Sequence, residues 1–365
     1  MAAMSNWLGS IHERVDFYSR GGSTRRRDRD FDWRWFDASP SGRFFAARKF
    51  VRRALHRLGL GRMPPISLAW LDENASRLWD TRLQFDDDVS RLMFDEHLVL
   101  KLVGHRKHYF PRTDFDDLLT VLGEEDFRHD RLPTEYVGLP LKVFRVRAGE
   151  DGAAFSIITT RLQLDLLNGF RQYLPTRNGA ALGPRPGDVV IDCGACIGEV
   201  SLVFATQVGP AGQVHLFDPV PLHTQFCRLQ AEMNPAFSQV MHVNTLAVGD
   251  ASAKADGRAV DAGRIEPNAV RPGEFDVVTL DEYCESNGLE RVDFIKMDIE
   301  GSELAALDGA ARTIARFKPR LAISAYHKPD DLWVLAARIR QLRPDYQLSF
   351  GHHSPIQWES VLYAS

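Results

Sequence analysis

The chain has 365 residues, 44% of them hydrophobic and 26% charged, with a formal net charge of −4. That is apolar material for one large or two ordinary cores, and no run approaches the roughly 20 apolar residues of a membrane span. Four cysteines in this length do not make a disulfide framework, and no apolar stretch near the start reads as a secretory signal, so a reducing, cytoplasmic location is expected.

The charge is unevenly spread. Residues 1–62 carry 14 Lys and Arg against 6 Asp and Glu, a balance of +8 that leaves −12 for the remainder. Residues 1–40, with Arg25-Arg26-Arg27-Asp28-Arg29-Asp30 at their centre, read as a poorly ordered polar arm. From 42 to 60, Phe44, Phe45, Phe50, Val51, Leu55 and Leu58 recur at helical spacing between Arg48, Lys49, Arg52, Arg53 and Arg57. A basic amphipathic helix of this kind packs by its stripe onto its own protein, the reading preferred here, or rests peripherally on an anionic membrane face. Residues 64–122 follow as a mostly helical stretch and 136–160 as a more extended one. The breakers Pro175, Gly179, Gly183, Pro184, Pro186 and Gly187 mark a domain edge. The expected division is a basic arm and helix (1–62), an α+β accessory region (63–178) and a catalytic domain (179–365).

Beyond the breakers the pattern is regular. Strand-like apolar runs fall at 189–193, 214–217, 240–246, 293–298, 321–325, 346–350 and 358–363, with helical segments at 222–233, 303–317 and 331–342. Alternating β and α predicts an α/β fold: a doubly wound, seven-stranded, mostly parallel sheet covered by helices. In such a sheet ligands bind outside the carboxyl ends of the strands.

The first run, Val189-Val190-Ile191-Asp192, enters Cys193-Gly194-Ala195-Cys196-Ile197-Gly198-Glu199 and then a helical segment. A strand, a glycine turn and a helix start make a nucleotide-type site, because glycine lets a ligand approach the backbone. The spacing D-x-G-x-x-x-G differs from the G-x-G-x-x-G dinucleotide fingerprint and resembles the S-adenosylmethionine (SAM) loop of class I methyltransferases. Cys193 and Cys196 form a C-x-x-C, but Cys227 and Cys284 are too irregularly placed to complete a zinc site. They read as small residues filling a crowded turn.

The other strand ends continue the set. The second run ends at Asp218-Pro219, about twenty residues on, where a carboxylate can accept from ribose hydroxyls or cap the next helix. The third ends near Ala247-Val248-Gly249-Asp250, small residues suited to an adenine edge. The fourth ends in Lys296-Met297-Asp298-Ile299-Glu300-Gly301-Ser302-Glu303; the helix dipole accounts for Glu303 but less well for Asp298. The fifth leads to Tyr326-His327, and His352 and His353 follow the sixth.

The stretch from Val292 to Ala310, K-x-D-x-E-G-x-E-x-x-x-L-x-G-A in outline, resembles the FkbM family of SAM-dependent methyltransferases. The glycine loop, Phe217-Asp218-Pro219, Ala247 and Tyr326-His327 fall in that family's order, over roughly residues 185–350. Residues 64–112, with Ser76-Arg77 and the 102–106 segment, more loosely resemble an extension found in members linked to bacterial glycan modification. The resemblance implies SAM as cofactor and O-methylation of a hydroxyl, on a sugar or glycosylated metabolite. It places Asp192, Gly194, Ala195, Gly198, Glu199, Asp218, Pro219, Ala247, Val248 and Asp298 around the cofactor. His327, near pKa 6.5 for its type, suits the base that an alcohol needs, with Asp298 as orienting group or alternative base. Mg²⁺ on Asp298 and Glu300 is a less favoured version, and no dedicated metal site is expected.

Two other classes stay open. A nucleic-acid methyltransferase would hold phosphates with the basic arm, but the catalytic half is acidic and no specific nucleic acid is expected. A non-catalytic SAM-fold adaptor would use the arm to recruit partners. A homo-oligomer is also open.

Overall fold

The computed structural model describes residues 2–20, 66–104, 108, 118–136, 139–148, 152–177, 179–256, 274–354 and 357–365. The Arg25–Asp30 cluster, the amphipathic segment 42–60 and His105-Arg106 lie outside them. The described chain forms two compact units. One comprises 1–76, 95–111 and 355–357; the other comprises 77–94, 112–354 and 358–365. The second therefore runs through the breaker-rich segment at 174–187 and takes in the extended region before it.

In the first unit, Ala2–Ser19 is a helix, α1, where the composition suggested a disordered arm. Trp7, Ile11, Val15 and Tyr18 recur at helical spacing and are buried, so the segment has an apolar stripe that the charge count concealed. Trp7 Nε1 donates to Asp95 Oδ1 at 2.7 Å, and Arg14 pairs with Glu96. Two further helices, Leu68–Leu83 (α2) and Asp88–Val103 (α3), each have residues in both units. No helix among the described residues is long and apolar enough to cross a membrane.

The second unit opens with an antiparallel meander of Leu119–Asp126 (β1), Leu139–Ala148 (β2) and Ala154–Thr160 (β3). Thr160 caps the following helix, Arg161–Phe170 (α4), by accepting from Gln163 N at 3.0 Å. Next come Val189–Cys193 (β4), Glu199–Val208 (α5), Gln213–Phe217 (β5), Pro221–Met233 (α6) and Met241–Asn244 (β6). The chain continues through Glu274–Val278 (β7), Leu280–Ser286 (α7), Phe294–Met297 (β8), Glu303–Asp308 (α8) and Ala311–Phe317 (α9). It ends with Arg320–Ser324 (β9), Asp331–Leu342 (α10), Leu348–His352 (β10) and Ser360–Ala364 (β11).

Seven of these strands form one sheet in the order β10-β11-β9-β8-β4-β5-β6. The five from β9 to β6 are parallel to their neighbours, whereas β11 runs antiparallel to both β9 and β10. The sheet is therefore mixed: mostly parallel, as expected, with β11 alone reversed. The short link from β10 to β11 accounts for the reversal, since parallel neighbours need a crossover of a dozen or more residues. β4 lies inside the sheet between β8 and β5 and is buried along its whole length, as its mainly apolar run requires. The free edge of β3 is closed by α6. Gln230 Oε1 accepts from Ile158 N and its Nε2 donates to Ile158 O, while Asn234, one turn on, exchanges the same pair of bonds with Ser156. Two amides at i and i+4 thus stand in for a neighbouring strand.

Candidate active site

The glycine turn is built by steric exclusion. Gly194 has φ +81, and a Cβ there would meet Asp298 O at 1.8 Å; no side chain fits. Gly198, φ +84, precedes α5 and backs onto Cys227, 3.0 Å from where its Cβ would lie. Gly194 N and Ala195 N both donate to Phe217 O, at 2.8 and 3.0 Å, which ties the turn to the end of β5.

Beneath the turn lies an ion pair. Asp192, fully buried, holds Lys296 Nζ at 2.9 Å and accepts from Ser201 Oγ. Lys296 also donates to Gly194 O at 2.7 Å and Cys193 O at 3.3 Å. Burial opposes its charge, but Asp192 and Asp298 overcome that and raise its pKa. The structure thus gives Asp192 a role under the turn, linking β4, β8 and α5, and Lys296 is the anchor.

Asp218 stands beside the turn at the end of β5. Its Oδ2 accepts from Cys196 N at 3.0 Å, its Oδ1 accepts from Val220 N at 2.9 Å, and His223 Nδ1 lies 3.0 Å from Oδ1. A carboxylate has about four lone-pair sites, so a position remains for a hydroxyl. Both readings of Asp218 from sequence are thereby compatible: it orders the start of α6 and, though only 6% exposed, keeps a lone pair for a further donor. Pro219 is half-buried beside it. Ala247 and Val248 pair in parallel with Val277 and Val278 in a separate three-stranded sheet.

Glu199, first residue of α5, is 6% exposed, and its Oε2 has no hydrogen-bond partner. Burial pushes its pKa up to about 7 against the pull of Lys296 and His223. Tyr136 reaches this cluster from the accessory sheet, accepting from Cys196 Sγ at 3.0 Å with its ring edge-on to His223. All four cysteines are free thiols. Burial raises the pKa of Cys193, Cys196, Cys227 and Cys284 alike, which makes them inert packing rather than a redox pair.

On the other side of the turn lies a polar rim. Asp298 Oδ2 accepts from Tyr173 OH and its Oδ1 from Tyr326 OH, both at 2.9 Å. Burial works against its charge, but Lys296, His327 and the two phenols hold its pKa low. His327 Nε2 lies 3.4 Å from Asp298 Oδ1 and 3.7 Å from Glu300 Oε2, and Nδ1 lies 2.8 Å from Glu303 Oε1. Burial lowers the imidazole pKa, yet Glu303, Asp298 and Glu300 outweigh it and raise it to about 9. His327 therefore carries its proton at neutral pH, whereas the base read from sequence must be free of one. Glu303 is 1% exposed and accepts from Ile299 N at 2.9 Å; its side chain closes the turn at Glu300-Gly301, where φ is +58 and +98. His352 and His353 are buried, their rings against Ser360 Oγ and Tyr363 OH.

Tyr173, Ser201, His223 and Tyr136 escaped the sequence reading. Tyr173 lies just before the breakers and meets Asp298 across 125 positions; no spacing rule connects them.

The profile for the Methyltransferase FkbM domain matches residues 192–348. Residues 192–348 are an FkbM methyltransferase domain. The match begins at Asp192 and takes in the turn, Asp218, Asp298 and His327. The chain is similar to the methyltransferase FkbM of Methylobacillus flagellatus KT, at 23% identity over 90% of this chain and 71% of that one, with a TM-score of 0.56; this likeness speaks to the fold. Weaker matches include Aeropyrum pernix fibrillarin with natively bound S-adenosyl-L-methionine (12%, 67% of this chain and 99% of that one, TM-score 0.34). An O-methyltransferase from Bacillus cereus in complex with SAH matches at 13%, over 48% of this chain and 72% of that one, with a TM-score of 0.33. No curated protein matches the chain.

Proposed function

We propose that this FkbM domain binds SAM over the Asp192–Gly198 turn and methylates a hydroxyl group, on a sugar of a bacterial glycan or glycosylated metabolite. The observation that carries this reading is the pairing of the two sides of one turn. Asp218 and Glu199 offer carboxylate oxygens on one side, and Asp298 and His327 form a polar rim on the other. SAM supplies an activated methyl on a sulfonium. Asp218 accepts from the ribose hydroxyls, and the free Oε2 of Glu199 accepts from the cofactor's ammonium. On the rim, Asp298 is held ionised by Lys296 and His327, so it can orient the acceptor hydroxyl and take its proton as the oxygen is methylated. Tyr173 and Tyr326 fix the carboxylate's direction.

The test incubates the full chain with methyl-labelled SAM and glycan extracts, then treats the product with alkali. Label in an alkali-stable methyl ether supports the reading. Label released as methanol, or found in nucleic acid, contradicts it.

A further inference from the structure

Asp298, Glu303 and His327 each offer a donor atom, and these atoms lie within 4.8 Å of one another. The His327 side chain is 2% exposed. Nδ1 meets Glu303 Oε1 at 2.8 Å, whereas Nε2 has no hydrogen-bond partner and faces Asp298 and Glu300. A buried imidazole braced by a carboxylate on one nitrogen and unpartnered on the other is suited to something absent from the protein itself.

The distances say what fits. A cation about 2.1 Å from each ligand sets adjacent ligands about 3.0 Å apart in octahedral and about 3.4 Å in tetrahedral geometry. Nε2 lies 3.4 Å from Asp298 Oδ1 and 3.7 Å from Glu300 Oε2. On the far side of the ring Glu303 faces Nδ1, and it is itself held by Ile299 N. A carboxylate behind the imidazole is the arrangement that fixes tautomer and ring direction in histidine metal sites. Tyr173 does the same for Asp298 from Oδ2. The Glu300 side chain is 43% exposed, so the site opens to solvent on one side, leaving a position for an exchangeable oxygen.

We infer that a first-row divalent cation binds between His327 Nε2 and Asp298 Oδ1, with Glu300 as third ligand and Glu303 orienting the ring. One imidazole with carboxylates favours Mn²⁺ and its neighbours over Mg²⁺ or Ca²⁺, which prefer oxygen alone. Three carboxylates around one buried imidazole also supply the negative potential that a dication needs. The cation's purpose, to hold the acceptor oxygen beside the methyl donor, rests on the methyl-transfer reading; its binding does not.

The test titrates MnCl₂ into the full-length protein and follows the electron paramagnetic resonance of free and bound Mn²⁺, with nitrogen couplings read by pulsed methods. One bound ion per chain with an imidazole nitrogen coupling is expected. H327Q should remove the coupling and weaken binding at least tenfold. E303Q, which keeps all direct ligands, should weaken it about 10–100-fold. S-adenosylhomocysteine binding, measured in parallel by calorimetry, should survive both changes and report that each variant is folded. Absence of a nitrogen coupling in the unaltered protein overturns the site, as does Mn²⁺ binding that H327Q leaves unchanged. Loss of S-adenosylhomocysteine binding by the unaltered protein would instead sink the methyl-transfer reading and leave the metal result standing.

Discussion

Glu199 makes a prediction whose sign differs between stability and binding. Its carboxyl is buried with one oxygen unpartnered, and its pKa stands at about 7 against an ordinary 4.5. Lys296 and His223 favour its charge, while Asp192 opposes it. Below pH 4.5 the group is protonated in both folded and unfolded chains and costs nothing. Between 4.5 and 7 the folded chain keeps a proton that the unfolded chain releases, so stability falls as pH rises. Above pH 7 the penalty is complete, about 3 kcal/mol at 1.36 kcal/mol per unit. Glu199→Gln keeps the shape and removes the charge, though its amide must find a partner, which takes back about 1–2 kcal/mol. A net gain of about 1–2 kcal/mol at pH 8 corresponds to a Tm rise of about 2–8 °C for a unit of this size. At pH 5 the penalty is below about 1 kcal/mol, so no gain is expected there. Cofactor binding should move the other way: losing a charge-assisted contact to the ammonium costs about 1.5–3 kcal/mol, a tenfold or greater loss of affinity. Thermal melts of both proteins at pH 5 and 8, with and without S-adenosylhomocysteine, measure all of this. An equal Tm difference at the two pH values, or a variant that binds the ligand as well as the parent, refutes the reasoning.

Three further outcomes follow from the same geometry. Lys296→Met leaves Asp192 buried beside Ser201 without its cation and should cost about 3–5 kcal/mol, read from denaturant unfolding; a loss below 1 kcal/mol would show that the pair is dispensable. Gly194→Ala places a Cβ where Asp298 O lies at 1.8 Å, so β4 and β8 must part at the turn; calorimetry should find no cofactor binding, and retained binding would show that the turn is not the cofactor site. Because burial raises every thiol pKa, Ellman's reagent at pH 8 should react slowly with the native chain and with four thiols after unfolding; rapid reaction of Cys193 and Cys196 with loss of both thiols would reinstate the redox reading.

Local pattern made much of the fold legible. The apolar run at 189–193 is β4 to the residue, and 331–342 is α10 at both ends, because a buried central strand and an amphipathic helix leave unambiguous periods. The helix expected over 303–317 is broken into α8 and α9 at Gly309, where a Cβ would meet Gly249 O at 2.0 Å. That close approach is tertiary, and nothing in the local pattern announces it. The direction of β11 is hidden for the same reason: strand propensity carries no sign. Strand-end logic put Asp218, Asp298 and His327 just past the strands they follow in the structure, but it did not show that Asp192 faces Lys296 or that Tyr173 fixes Asp298. The charge state of His327 was also out of reach. It depends on three carboxylates converging on one imidazole, and two of them approach from opposite sides of the ring.

The measurement that bears most directly on the account is a calorimetric titration of S-adenosylhomocysteine into the full chain and its D218N variant. One molecule should bind per chain, with affinity reduced about tenfold or more in the variant as a charged acceptor for the ribose is lost. No heat of binding to the parent chain, or equal affinity in a folded D218N, would contradict it.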